Sequence, residues 1–229
     1  MFLSLLASDT SLPPLHSLRS MILHELAPGR QDFRAALWAC PALEKLWIET
    51  ETIYDLAVSH TEVLPIPTGA VPSLTFICAP WRYLRIFLRH PSVRQVWTGE
   101  IPHDECLVYL QEIYGRKPQL TAISFTVVDA LSDPSVVEFV LTRFRFLEEL
   151  SVSSYNVTEQ VYNRTLELLL TADLAPKLRK VSVKSYEPEV TAQKASIELS
   201  SRLRQKCPLL AYVFVKGMEN VLEWTSGAT

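Results

Sequence analysis

One frame recurs along this chain and constrains everything between its copies. The clearest copy is Pro176-Lys177-Leu178-Arg179-Lys180-Val181-Ser182-Val183: a proline, an apolar anchor two residues on, then apolar residues three and five beyond the anchor. Matching anchors stand at Leu18, Leu43, Leu74, Val93, Leu120, Leu147, Leu178 and Leu210. Neighbouring anchors are on average about 27 positions apart, the period of an array in which each copy is one supersecondary unit. Pro41, Pro72, Pro91, Pro118, Pro176 and Pro208 precede six of the eight anchors by two residues. Proline fixes φ and pushes the residue before it out of the helical region, so each copy marks a change from helix to extended chain.

The residues after each anchor read as a strand. Leu150-Ser-Val152, Val181-Ser-Val183 and Val213-Phe-Val215 alternate with period two and are rich in β-branched residues. The intervals read as helices. Gln31 to Ala39, Trp81 to Arg89 and His103 to Tyr114 carry apolar residues at helical spacing. Ser132-Asp133-Pro134 supplies a cap residue before a proline at the first helical position, and Thr158 caps the next helix. Parallel strands joined by helical crossovers stack into a curved α/β solenoid, strands concave and helices convex. The whole chain, residues 1–229, reads as a single domain of about eight irregular repeats. Residues 49–71, with Pro65-Ile-Pro-Thr-Gly69, are expected to be an irregular loop or insertion, and residues 218–229 a C-terminal cap or tail.

With Cys-Pro-x-Leu openings at Cys40 and Cys207, these units resemble the leucine-rich-repeat region of fungal-type F-box/LRR proteins. The resemblance runs from about Leu15 to Val215. It implies a right-handed leucine-rich-repeat solenoid that binds protein, in the cytoplasm or nucleus, as the substrate receptor of a ubiquitin ligase. The family's F-box opens with a Leu-Pro-x-Glu-like signature. Here Leu12-Pro13-Pro14-Leu15 is followed at once by the anchor Leu18, so a cullin-ligase adaptor is expected as a partner only if an F-box lies on a segment missing from this chain. The family's Asn or Cys after the strand is replaced by Glu51, Val128, Tyr155, Tyr186 and Met218, which predicts irregular turns.

No catalytic motif is present: no G-x-S-x-G, P-loop, G-x-G-x-x-G or H-E-x-x-H. His103-Asp-Glu-Cys106 holds catalytic residue types, yet Asp104 and Glu105 more simply favour a helix N-terminus. The four cysteines lack metal-ligand spacing and read as buried thiols, and no cofactor or metal is expected. The net charge of −3 disfavours nucleic acid, although Arg82, Arg85, Arg89 and Arg94, and Lys177, Arg179, Lys180 and Lys184, form two basic clusters. An enzyme with an unrecognised site, a hydrolase or transferase, and weak nucleic-acid binding are the alternatives. No run of 18 apolar residues predicts a membrane span.

Strand alternation locates the expected binding surface. If the anchors and their apolar partners point inward, the concave face presents Trp47, Phe76 and Trp97 in the N-terminal half and Lys180, Ser182 and Lys184 in the C-terminal half. Buried aromatics dominate protein interfaces, so the first three are candidate anchors for a protein partner; the equal alternative is that the irregular third copy or the Glu49–Val71 loop folds over them. Tyr212 and Phe214 are expected to lie beneath the C-terminal tail.

Overall fold

Seven of the eight anchors close a tight turn. Their N–H groups donate to the carbonyl three residues back: Leu18 to Leu15, Leu43 to Cys40, Leu74 to Val71, Val93 to His90, Leu120 to Lys117, Leu147 to Phe144 and Leu210 to Cys207, over 3.0–3.4 Å. The frame prolines occupy the second position of these turns, where φ near −65° is wanted and no N–H is needed. The turn is thus what the proline encodes. The computed structural model describes residues 15–24, 31–49, 69–171, 174, 176–186, 193–194, 197–217 and 221–226. The N-terminal stretch 1–14 and residues 50–68 of the expected insertion lie outside them, as does residue 175, which would open the eighth turn.

Past the turn, two successive N–H groups share one carbonyl of the preceding copy. Glu44 and Lys45 both donate to the Arg19 carbonyl, at 2.9 and 3.0 Å, and Thr75 and Phe76 to that of Glu44. Arg94 and Gln95 use Thr75; Glu148 and Glu149 use Thr121; Arg179 and Lys180 use Glu148; Ala211 and Tyr212 use Arg179. A carbonyl has two lone pairs, so one acceptor holds two donors and pins the register at each junction.

The chain divides into two compact units, Met1–Gly99 and Glu100–Thr229. The first holds β1 (Ser20–His24), α1 (Gln31–Trp38), β2 (Lys45–Glu49), β3 (Phe76–Cys78), α2 (Trp81–Phe87) and most of β4 (Gln95–Ile101). Its strands are parallel and lie in chain order, with Met21, Leu46, Ile77 and Val96 in register. Leu43, Leu46, Leu74, Ile77 and Val93 are fully buried. Beside them Phe33 of α1 meets Phe87 of α2 edge-on at 6.3 Å.

The second unit holds α3 (His103–Arg116), β5 (Ala122–Leu131), α4 (Ser135–Arg143), β6 (Glu149–Val157), α5 (Glu159–Thr171), β7 (Lys180–Ser185), β8 (Gln193–Lys194), α6 (Ile197–Lys206), β9 (Tyr212–Lys216) and β10 (Val221–Thr225). Strands β5, β6, β7 and β9 are parallel neighbours, with Ile123, Leu150, Val181 and Val213 in register. Asp133 opens α4, accepting both the N–H and the O–H of Ser135 at 2.9 and 2.6 Å, and those bonds lower its pKa. Tyr114 of α3 packs edge-on against Phe139 and Phe144 at 5.9 and 5.2 Å. Arg164 of α5 then grips both carboxylate oxygens of Glu138 on α4.

The architecture is therefore α/β, with a mostly parallel open sheet and, among the described residues, six helices. Burial alternates along the strands: β2 and β4 bury the alternate residues Leu46 and Ile48, Val96 and Thr98, while Lys45 and Gln95 stay exposed. At the C-terminus the expectation is corrected. Strand β10 runs antiparallel beside β9, pairing Thr225 with Tyr212 and Glu223 with Phe214, and it is parallel to β8. It extends the sheet rather than lying over it, and Tyr212 and Phe214 remain half-buried. The pairing gives the last parallel strand a hydrogen-bonded neighbour.

Candidate binding face

On the side of the first unit's strands opposite the buried Leu46 and Val96, strand register builds a row. Ile22 lies opposite Trp47, Trp47 opposite Cys78, and Cys78 opposite Trp97. Ile22 is 54% and Trp97 45% exposed, and Trp47 and Cys78 are half-buried. Phe76 sits one row away, two residues before Cys78 on the same face. It was expected to be an open member of the patch, but it is only 5% exposed. The Trp47 ring lies 4.8 Å from it at a tilt, and the Trp97 ring meets it edge-on at 5.1 Å. Diagonal neighbours on adjacent strands are within reach of large aromatic side chains, so the two indoles roof the smaller ring. The surface offered to solvent is Trp97 and Ile22, with part of Trp47.

Cys78 lies within this row. Burial, and then the charge of Glu49, push its thiol from an ordinary 9.0 up to about 11. It stays protonated near neutral pH and behaves as a small apolar filler between the indoles. The other cysteines are buried, and none of the four is in a disulfide. Among the described residues no group of three or more His, Cys, Asp or Glu could hold a metal.

The second unit carries a shallow hollow of about 380 Å³, lined by Ser151, Lys180, Ser182, Lys184 and Tyr212. Ser151 and Ser182 are cross-strand partners, as are Lys180 and Tyr212. Lys180 and Lys184 project as expected, each exposed. Lys180 Nζ is 3.9 Å from Glu149 Oε2, and Lys184 Nζ lies 6.0 Å from the centre of the Phe214 ring. Ser182 departs from the expectation of an open contact: it is 1% exposed, and its hydroxyl has no hydrogen-bond partner among the described residues. It is the floor of the hollow rather than part of its rim. Ser151 and Tyr212 join the three expected residues: alternation gives their row positions, but only cross-strand register brings them beside Ser182 and Lys180. Burial and the nearby Glu223 charge raise the Tyr212 pKa, so the phenol keeps its proton and can donate.

No family model, no curated protein and no solved structure matches this chain.

The His103-Asp-Glu-Cys106 segment lies at the start of α3. His103 Nε2 and Ser132 Oγ are 3.1 Å apart. Both oxygens of the neighbouring Asp133 already accept from Ser135, so that carboxylate serves the start of α4. The basic clusters are also absorbed in part. Arg94 donates to the carbonyls of Pro91 and Val93, Arg85 lies over Trp81, Lys177 over Phe146, and Arg179 is 3.9 Å from Glu148. Among the described residues no helix is long and apolar enough to cross a membrane.

Proposed function

We propose that this chain is a leucine-rich-repeat solenoid that binds a protein partner on the face of its strands that carries Trp47 and Trp97, and that it is not an enzyme. The observation carrying this reading is the Ile22–Trp47–Cys78–Trp97 row, in which register gathers large apolar side chains on one face of the strands and leaves Ile22 and Trp97 about half exposed. Contiguous exposed apolar surface of this kind marks interaction sites, and tryptophan contributes disproportionately to interface free energy. The resemblance of the repeats to those of fungal-type F-box/LRR proteins supports substrate selection for ubiquitylation, in the cytoplasm or nucleus, as the setting. No residue of this chain is assigned to adaptor docking.

Site-specific photo-crosslinking tests the reading in cells. A photoreactive phenylalanine at Ile22, on the face, should capture a discrete protein, and Trp97→Ala should abolish that capture. The same group at Val108, 66% exposed on α3, should not capture it. Equal capture from both positions, or capture from Ile22 indifferent to Trp97→Ala, would refute binding by this face.

A further inference from the structure

The hollow on β6, β7 and β9 has a chemistry distinct from the aromatic row. Two ammonium groups, Lys180 and Lys184, stand two rows apart on one strand. The hydroxyls of Ser151, Ser182 and Tyr212 lie among them. Lys180 and Lys184 are exposed. The Ser182 hydroxyl is instead buried at the floor, without a partner among the described residues. A buried hydroxyl left unpaired costs free energy, and such groups call for an explanation such as a ligand. Its neighbours in register are Ser151 and Phe214, and neither is bonded to it.

We propose that this hollow binds a phosphate monoester carried on a side chain of the protein partner. The proposal deepens the partner-binding reading and rests on it. A phosphate monoester carries between one and two negative charges near neutral pH and presents three strong acceptor oxygens. That matches two ammonium groups and three hydroxyl-bearing side chains contributed by three strands. A carboxylate, with one charge and two oxygens, would leave donors unmet. Two acidic groups border the site, Glu149 beside Lys180 and Glu223 opposite Phe214. The Glu149 contact is long and exposed on both sides, and a pair of that kind holds weakly, so Lys180 can turn to a dianion. Lys184 lies over the Phe214 ring at 6.0 Å, a contact that leaves its ammonium hydrogens free to meet an anion.

The test is an amide-resolved NMR titration of the full chain with N-acetyl-O-phosphoserine N-methylamide. Inorganic phosphate, the unphosphorylated serine compound and the N-acetylglutamate analogue serve as comparison probes. Saturable shifts at Ser151, Ser182 and Lys184 are expected with the phosphoserine probe, weaker ones with inorganic phosphate, and none with serine. Ser182→Ala should weaken the phosphoserine probe about tenfold, the loss of one hydrogen bond to a charged group. Its melting temperature should be unchanged or raised, because the unpaired hydroxyl is gone; a hydroxyl with only a structural role would lower it. Lys184→Gln should weaken binding comparably, with the remaining amide spectrum unchanged. The proposal is overturned by absence of saturable shifts, or by shifts indifferent to both substitutions. It is equally overturned by a glutamate analogue that binds as tightly, which would assign the site to acidic side chains, or by inorganic phosphate binding as tightly as phosphoserine, which would assign it to the free ion. These probes need no partner. Loss of the phosphate response with crosslinking from Ile22 intact removes this inference alone, and the converse removes the partner reading.

Discussion

An aromatic ring on a bare sheet face gains little from burial unless its neighbours cover it, and Trp47 and Trp97 cover Phe76 from either side. The three rings therefore divide the work unequally. Phe76 is the small core of the row, and Trp97, nearly half exposed, is its removable lid. Truncating the buried ring opens a void between two indoles and forfeits its transfer free energy. Phe76→Ala should cost about 3 kcal/mol, at the low end for a buried phenylalanine. Trp97→Ala loses mainly one edge-to-face contact and should cost about 1 kcal/mol. Denaturant midpoints at constant m-value measure both. A Trp97→Ala cost as large as that of Phe76→Ala would show that the indole is core rather than contact surface. Ser182 is the polar counterpart of Phe76, another buried face residue. It differs in that its burial leaves a polar atom without a partner among the described residues.

The turn that opens each copy is the element on which register depends, and its chemistry can be tested where proline is missing. Leu15-His16-Ser17-Leu18 and Phe144-Arg145-Phe146-Leu147 form the turn without proline. A proline that fits its native conformation stabilises by restricting the unfolded chain, typically by about 0.5 kcal/mol. His16→Pro should therefore raise the denaturant midpoint. Arg145→Pro should lower it, because the Arg145 N–H donates to the Arg143 carbonyl at 3.0 Å and proline has no N–H to give. A gain from both substitutions, or a loss from both, would contradict this account of the turn. Much at this scale was legible in the sequence. Anchors such as Leu43, Val93 and Leu147 are fully buried, because the apolar period and the proline state the same boundary twice. Helices α2, α3 and α4 begin at Trp81, His103 and, one residue past Pro134, at Ser135, close to where apolar spacing and cap residues placed them. What escaped were lateral relations. Whether Phe76 is roofed, whether Ser182 is floor or rim, and whether β10 lies beside β9 or over it all depend on which residues face each other across strands. That is set by pairing between distant segments, which no periodicity within one segment records. The hollow was legible only as Lys180, Ser182 and Lys184 on one strand, because Ser151 and Tyr212 line it from two other strands.

Across the whole molecule, buried ionisable groups of one kind recur in both units. Burial raises the thiol pKa of Cys40 and Cys78 in the first and of Cys106 and Cys207 in the second, where the Tyr162 and Tyr212 phenols are raised as well. Cys106 is the extreme case: burial, helped by the Asp133 charge, pushes it from 9.0 up to about 12. Each such group holds its proton in the folded state at pH values where the unfolded chain has released it. The stability these groups contribute is complete below pH 9, and is lost as pH rises through the folded values toward 12. Within that window Cys106 by itself tilts the unfolding free energy downward by about 1.4 kcal/mol per pH unit. The melting temperature should accordingly begin a steep fall above pH 9. Cys106→Ala supplies the control, because a cavity and a titration leave different signatures. The cavity lowers stability by a constant amount at every pH, whereas removing the thiol flattens the alkaline slope. Parallel curves for the wild type and Cys106→Ala would mean that alkaline unfolding is driven by groups other than this buried thiol.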